Sequence, residues 1–128
     1  MGRVFIGITV FLFIMAGCQT NDIEKVVNKH GSLQNIEGLM TFVKNVNSKI
    51  EDEINYITYG EEGQLRVRTL IFDGEQINVF HSVDGEFVEE YNCKNIVLET
   101  NIEVEKYILI QCTGDYNGDV ELLSVYLE

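Results

Sequence analysis

Basic residues are scarce in this chain: Lys and Arg number 9 against 21 Asp and Glu, a formal charge of −12 over 128 residues. No run of Lys or Arg occurs. Nucleic-acid affinity rests largely on such side chains neutralising phosphates, so a nucleic-acid partner is excluded. The same charge favours solubility and repels the chain from anionic lipid. Histidine is scarcer still. His30 and His81 stand too far apart for any zinc-site spacing. The three cysteines form no C-x-x-C redox motif. No G-x-S-x-G elbow surrounds Ser32, Ser48, Ser82 or Ser124, which leaves serine nucleophiles without a context. Proline and tryptophan are absent. The length leaves no room for two full cores.

What is present begins with an apolar run. Val4 to Ala16 carries no charge, and Arg3 precedes it. A transmembrane helix needs about 20 apolar residues. This shorter run fits a secretory signal, with a basic start, an apolar centre and small residues at the exit. The exit, Met15-Ala16-Gly17-Cys18, resembles the bacterial lipobox, although Met15 stands where Leu is usual. An ordinary secretory signal with an incidental cysteine is the alternative. The expected organisation is a lipoprotein signal peptide over 1–17, then lipidated Cys18 and a short tether over 18–22. A single extracytoplasmic α+β domain over 23–128 follows. Each acyl chain would contribute roughly 0.8 kcal/mol per buried methylene. The first expected partner is therefore the cell membrane, held through lipid on Cys18 at its extracytoplasmic face.

With Cys18 given to lipid, Cys93 and Cys112 remain. An even pair in an exported chain reads as a disulfide. Setting Cys93 opposite Cys112 in a hairpin makes Ile96 face Leu109, Val97 face Ile108, and Leu98 face Tyr107. Glu99 then faces Lys106, and the loop falls at Thr100 to Glu105. Apolar residues meet apolar ones and opposite charges meet near the loop, as a stable register requires.

One helix is expected over Leu33 to Asn47. Ile36, Leu39, Met40, Val43, Val46 and Ile50 recur at steps of three and four, with Asn35 as N-cap and Gly38 as a weak point. Residues 22–28 read as either a strand or a helical turn. Four strands follow: Ile54 to Tyr59, Leu65 to Phe72, Gln76 to Val83 and Glu86 to Asn92. Gly60 to Gly63, Asp73-Gly74 and Asp84-Gly85 serve as their turns. Val120 to Leu127 reads as a strand or a short helix. The expected fold is α+β: one amphipathic helix on a twisted antiparallel meander of five to seven strands, with one cross-strand disulfide.

Chaining these turns gives two faces. Ile54, Tyr56, Leu65, Val67, Ile71, Phe80 and Phe87 form the expected core face. Ile57, Tyr59, Leu70, Phe72, Ile77, Val79 and Val88 share the other with Arg66, Arg68, His81 and Glu90. That mixed face is either covered by a terminal segment or exposed as an apolar patch rimmed by charge, the form of a protein-binding surface. Arg66, Arg68 and His81 are its candidate partner contacts. A ligand pocket lined by Tyr56, Tyr59, Phe80 and Tyr91 is the rival reading.

No metal or cofactor is expected. Asp115-x-Asn117-x-Asp119 starts like a calcium loop, but Val120 stands where Gly is required, so a polar turn explains it better. His30 beside Gly31 reads as a turn residue. The carboxylates Glu51-Asp52-Glu53, Glu61-Glu62, Glu89-Glu90, Glu103 and Glu105 sit at turns and strand ends, where solvated charge is the default. No constellation for catalysis is present, and a non-enzyme is expected.

These motifs resemble a family of small lipoproteins of Gram-positive bacteria whose domain has no assigned function. The matching pieces run from Cys18 through Val27-Asn28-x-His30-Gly31 and the helix ending near Asn45-Val46. Glu62-Gly63 and Leu70-x-Phe72-Asp73-Gly74-x-x-Ile77 follow, then Cys93-Lys94-Asn95-Ile96 and Tyr107-x-Leu109-x-x-Cys112. Gln64-Leu65 and Asn55 depart from the residues usual there. The resemblance implies a lipid-anchored extracytoplasmic domain with a disulfide and no known catalysis. Some such lipoproteins travel on integrative conjugative elements and act in exclusion of redundant transfer. An envelope protein, such as a transfer-channel component, is the partner this implies; a small-ligand or envelope-stress lipoprotein is the alternative.

Overall fold

A computed structural model describes residues 23–127. The expected signal peptide, the lipidation site Cys18 and the tether lie outside the described residues. Nine strands and one helix follow in order: β1 (Glu24–Lys29), β2 (Ser32–Gln34), α1 (Ile36–Asn47), β3 (Asp52–Tyr59), β4 (Leu65–Phe72), β5 (Ile77–Val83), β6 (Glu86–Cys93), β7 (Asn95–Thr100), β8 (Val104–Gly114) and β9 (Gly118–Tyr126). The strand order is β2-β1-β3-β4-β5-β6-β8-β7, with β9 on β8. Nine strands exceed the five to seven expected. Part of the excess is β1 and β2, short segments whose pairing has no local turn signature.

The sheet is not wholly antiparallel. β1 runs parallel to β3, with Val26 beside Tyr56 and Asn28 beside Thr58. Parallel neighbours need a crossover rather than a hairpin. α1, preceded by β2, supplies it. Of the ambiguous segment at residues 22–28, Glu24 to Asn28 belong to strand β1, and the ambiguous C-terminal segment pairs as β9 with β8.

α1 buries Gly38, Leu39, Phe42, Val43 and Val46 against the sheet, whereas Met40 and Ile50 are exposed. Phe42 therefore takes the place expected of Met40. Asn35 caps the helix from a left-handed conformation and makes no side-chain cap bond. Its amide instead donates to Glu24 Oε1 at 2.6 Å and to the Lys25 carbonyl at 2.9 Å, tying the helix start to β1. Gly38 is a close-approach residue. A Cβ there would lie 2.9 Å from Asn35 Nδ2 and 3.2 Å from Val26 Cγ2. Gly38→Leu is expected to cost about 1–3 kcal/mol by overpacking, read as a lower urea midpoint at unchanged slope.

The disulfide joins Cys93 and Cys112. The register around it is the expected one: Ile96 faces Leu109, Val97 Ile108, Leu98 Tyr107 and Glu99 Lys106. The loop is tighter than expected, because Thr100 still pairs with Glu105. Asn101 Oδ1 accepts the Glu103 and Val104 N–H groups and closes the turn. β6 and β7 lie along the same edge of β8, bent at Lys94. Tyr91 faces Gly114 and Asn92 faces Thr113 before the bend.

The two faces of the meander are the reverse of those expected for β4 to β6. Ile54 and Tyr56 share the core face with Leu70, Phe72, Ile77, Val79 and Tyr91, all buried. Leu65, Ile71, Phe80 and Phe87 lie on the outer face with substantial exposure. The cause is loop length. Tyr59 pairs with Leu65, so the β3–β4 loop holds Gly60 to Gln64 and not Gly60 to Gly63. A single extra residue moves every side chain of the next strand to the opposite face.

Candidate functional site

The core face has an apolar half and a polar half. α1 covers the apolar half, around Ile54, Leu70, Phe72 and Ile77. Further along the same strands the inward positions turn polar. One cross-strand row reads Tyr56, Arg68, His81, Glu89, each opposite the next. The row beyond it reads Thr58, Arg66, Val83.

The structure therefore brings Arg66, Arg68 and His81 together, as the sequence places them. Their exposure differs. Arg66 is exposed, Arg68 is half-buried, and His81 is only 5% exposed. Glu90 does not join them. A bulge between His81 and Ser82 sets Glu89 opposite His81 and turns Glu90 outward beside Phe80. His81 Nδ1 lies 3.0 Å from Glu89 Oε2. A carboxylate only accepts, so Nδ1 carries the proton.

Two nitrogens in this row are buried without a hydrogen-bond partner among the described residues: Arg68 Nε and His81 Nε2. Buried polar atoms are paired in the great majority of native structures, so an orphaned pair on neighbouring strands needs a reason.

The aromatic residues divide. Tyr56 is buried in the polar row and Tyr91 in the apolar row next to it, opposite Val79, whereas Tyr59 and Phe80 belong to the outer face, so no four-aromatic pocket forms. Asn28 Nδ2 donates to the Tyr56 hydroxyl at 3.3 Å. The Tyr91 ring packs on Tyr116 at 5.8 Å between centroids. The loop bearing Tyr116 is tied to β6, because the Glu90 N–H donates to Asp115 Oδ2. Asp119 Oδ1 accepts the Gln111 N–H. Two carboxylates of the calcium-like motif thus serve the backbone. Among the described residues no group of three His, Cys, Asp or Glu is placed to hold a metal ion.

Burial raises the pKa values of Tyr56 and Tyr91 above 10.0, opposed in part by the Arg68 charge near both. The unfolded chain therefore loses these protons first as pH rises. Their contribution to stability is complete below pH 10.0 and declines as pH climbs toward the folded-state values. Denaturant midpoints are expected to fall above pH 10.0, and Tyr56→Phe is expected to flatten that fall.

A cleft of about 510 Å³ borders the polar half, lined by His30, Thr58, Gly60, Glu61, Gln64 and Arg66 among others. His30, a turn residue with φ 53°, thus reaches the same end of the sheet. Lys29 Nζ sits 5.3 Å from the centre of the Tyr59 ring beside it.

Residues 23–107 match the family model of DUF4362, a domain of unknown function. The chain belongs to the DUF4362 family. Comparison with curated proteins and with solved structures finds no match. The matched span of the DUF4362 domain includes the whole polar row and Cys93 but ends before Cys112. Glu89, Asn28 and Tyr116 were not foreseen as neighbours of the row. A bulge, a parallel pairing and the short turn between β8 and β9 place them; the turn is marked in the sequence, but the bulge and the parallel pairing have no local signal.

Proposed function

We propose that this DUF4362 protein is a lipid-anchored extracytoplasmic module that binds an envelope protein without catalysing a reaction. The observation that carries the reading is the gathering of Arg66, Arg68 and His81 at one end of one sheet face. Apart from Arg3, these are the only arginines of an acidic chain.

Their position suits an anchored domain. β1 starts at Glu24 beside Ile54, at the apolar end of the face. A tether over 18–22 spans at most about 17 Å when fully extended. Arg66 lies six residues along β4 from Phe72, about 20 Å at the rise of a strand. Lipid on Cys18 would hold the apolar end near the bilayer and leave the arginine end facing outward. The concrete form of the reading is exclusion of redundant conjugative transfer in a Gram-positive cell, by contact with a transfer-channel protein.

A recipient expressing the full chain is expected to receive a conjugative element less often than one without it. Cys18→Ser and Arg66→Glu are each expected to restore transfer. Arg66 is exposed, so Arg66→Glu leaves the fold intact. Unchanged transfer in all strains, with surface display verified, would remove exclusion. The cleft beside Arg66 supports a second reading, a small-ligand lipoprotein.

A further inference from the structure

We propose that Arg68 and His81 form a subsite for a carboxylate group. The inference deepens the binding role assigned above and rests on it. Arg68 and His81 stand directly opposite each other on β4 and β5, on the inward face. Arg68 Nε and His81 Nε2 are both buried and both lack a partner among the described residues. His81 itself is 5% exposed.

The Arg68 nitrogen is a permanent donor. The His81 ring already donates through Nδ1 to Glu89 Oε2 at 3.0 Å. A carboxylate arriving at Nε2 favours the imidazolium, in which Nε2 also donates. Two donors on neighbouring strands then serve the one anion. The charges balance within the row: Arg68 and the imidazolium are positive, Glu89 and the guest negative. Arg66, one row further out on the same face, adds a positive charge at the approach. Tyr56 and Tyr91 stay neutral across physiological pH, since burial raises both. A primary amide can meet both atoms without protonating the ring, its oxygen accepting from Arg68 Nε and its N–H donating to His81 Nε2, but it brings no negative charge to Arg68, so the comparison of acid with amide is the deciding one.

The shared chemistry is a carboxylate, supplied by a free small acid or by an acidic side chain of the partner. The test uses the full chain in detergent micelles, with ¹⁵N resonances of Arg68 Nε and the His81 ring as readouts. Sodium acetate is expected to shift both saturably and to drive His81 to the imidazolium signature. Acetamide is expected to bind at least about tenfold more weakly, because only the carboxylate pairs charge with charge; acetate is expected to lose about as much on Arg68→Lys, whose ammonium keeps the charge but places no donor at the Nε position. A blocked tripeptide with a central Glu binding tighter than acetate assigns the guest to a partner's side chain; the reverse assigns a free acid. Equal shifts with acetate and acetamide, tighter binding of inorganic phosphate, or no saturable shift overturns the subsite. If Arg68→Lys fails to fold, the acetate and acetamide comparison on the native chain decides. Transfer restored by Arg66→Glu without acetate binding leaves the module standing and removes only the subsite. Acetate binding with transfer unaffected removes the module and keeps the subsite.

Discussion

Replacing Cys93 and Cys112 together by alanine is expected to lower the unfolding free energy by about 3 kcal/mol. The bridge closes a loop of sequence separation 19. By chain-entropy arithmetic such a loop restricts the unfolded ensemble by that amount. The native state adds to it. Both cysteines are buried, at 0% and 2% exposure, among Ile77, Ile96 and Leu109. They sit where β6 bends into β7, so the bridge holds the bend against β8. A domain of this size is expected to lose about 10–20 °C in Tm. Calorimetry of the oxidised chain, the reduced chain and the double variant checks this. A reduced chain melting within about 3 °C of the oxidised one would show that the hairpin register holds the bend alone.

Phe42→Ala is expected to cost about 3–5 kcal/mol, the range for removing a fully buried aromatic side chain. Phe42 is 0% exposed on the only described helix, which links β1 and β3. It is the largest fully buried side chain of α1. Against a typical domain stability of about 5–15 kcal/mol the effect approaches unfolding. Met40→Ala, two residues earlier and half exposed, is the internal control and is expected to change stability by under about 1 kcal/mol. Denaturant titrations of both variants give the comparison. Equal costs would mean that the helix docks through the Met40 stripe after all.

The accuracy of the sequence reading followed the range of the signals. The β7–β8 register was legible residue for residue because two cysteines pin it and charged and apolar pairs confirm it. Strand positions from β3 to β6 were legible because Gly pairs mark their ends. The face assignment failed at one point, the loop Gly60 to Gln64. Its length of five instead of four is not encoded in any turn motif, yet it decides which residues form the core. Arg66, Arg68 and His81 were nonetheless grouped correctly, since β4 and β5 keep the expected parity across Asp73 to Gln76. Their surroundings were not legible. Asn28 arrives through a parallel pairing far away in sequence, and Glu89 through a bulge that exchanges it with Glu90. His81, on a face that the sequence left as either covered or exposed, lies nearly covered between Arg68 and Glu89.

The central claim is that the arginine end of the sheet meets a partner while the chain is anchored at the cell surface. Site-directed photocrosslinking tests it most directly. A photoreactive residue replaces Glu61, exposed in the cleft beside Arg66, in one full-length variant and Lys44 in another. Lys44 is exposed on α1, away from the arginine end. The account predicts one discrete protein adduct from position 61, none from position 44, and loss of the adduct when Arg66→Glu is added. Identical adducts from both positions, or none from position 61 on chains proven to be surface-displayed, would contradict it.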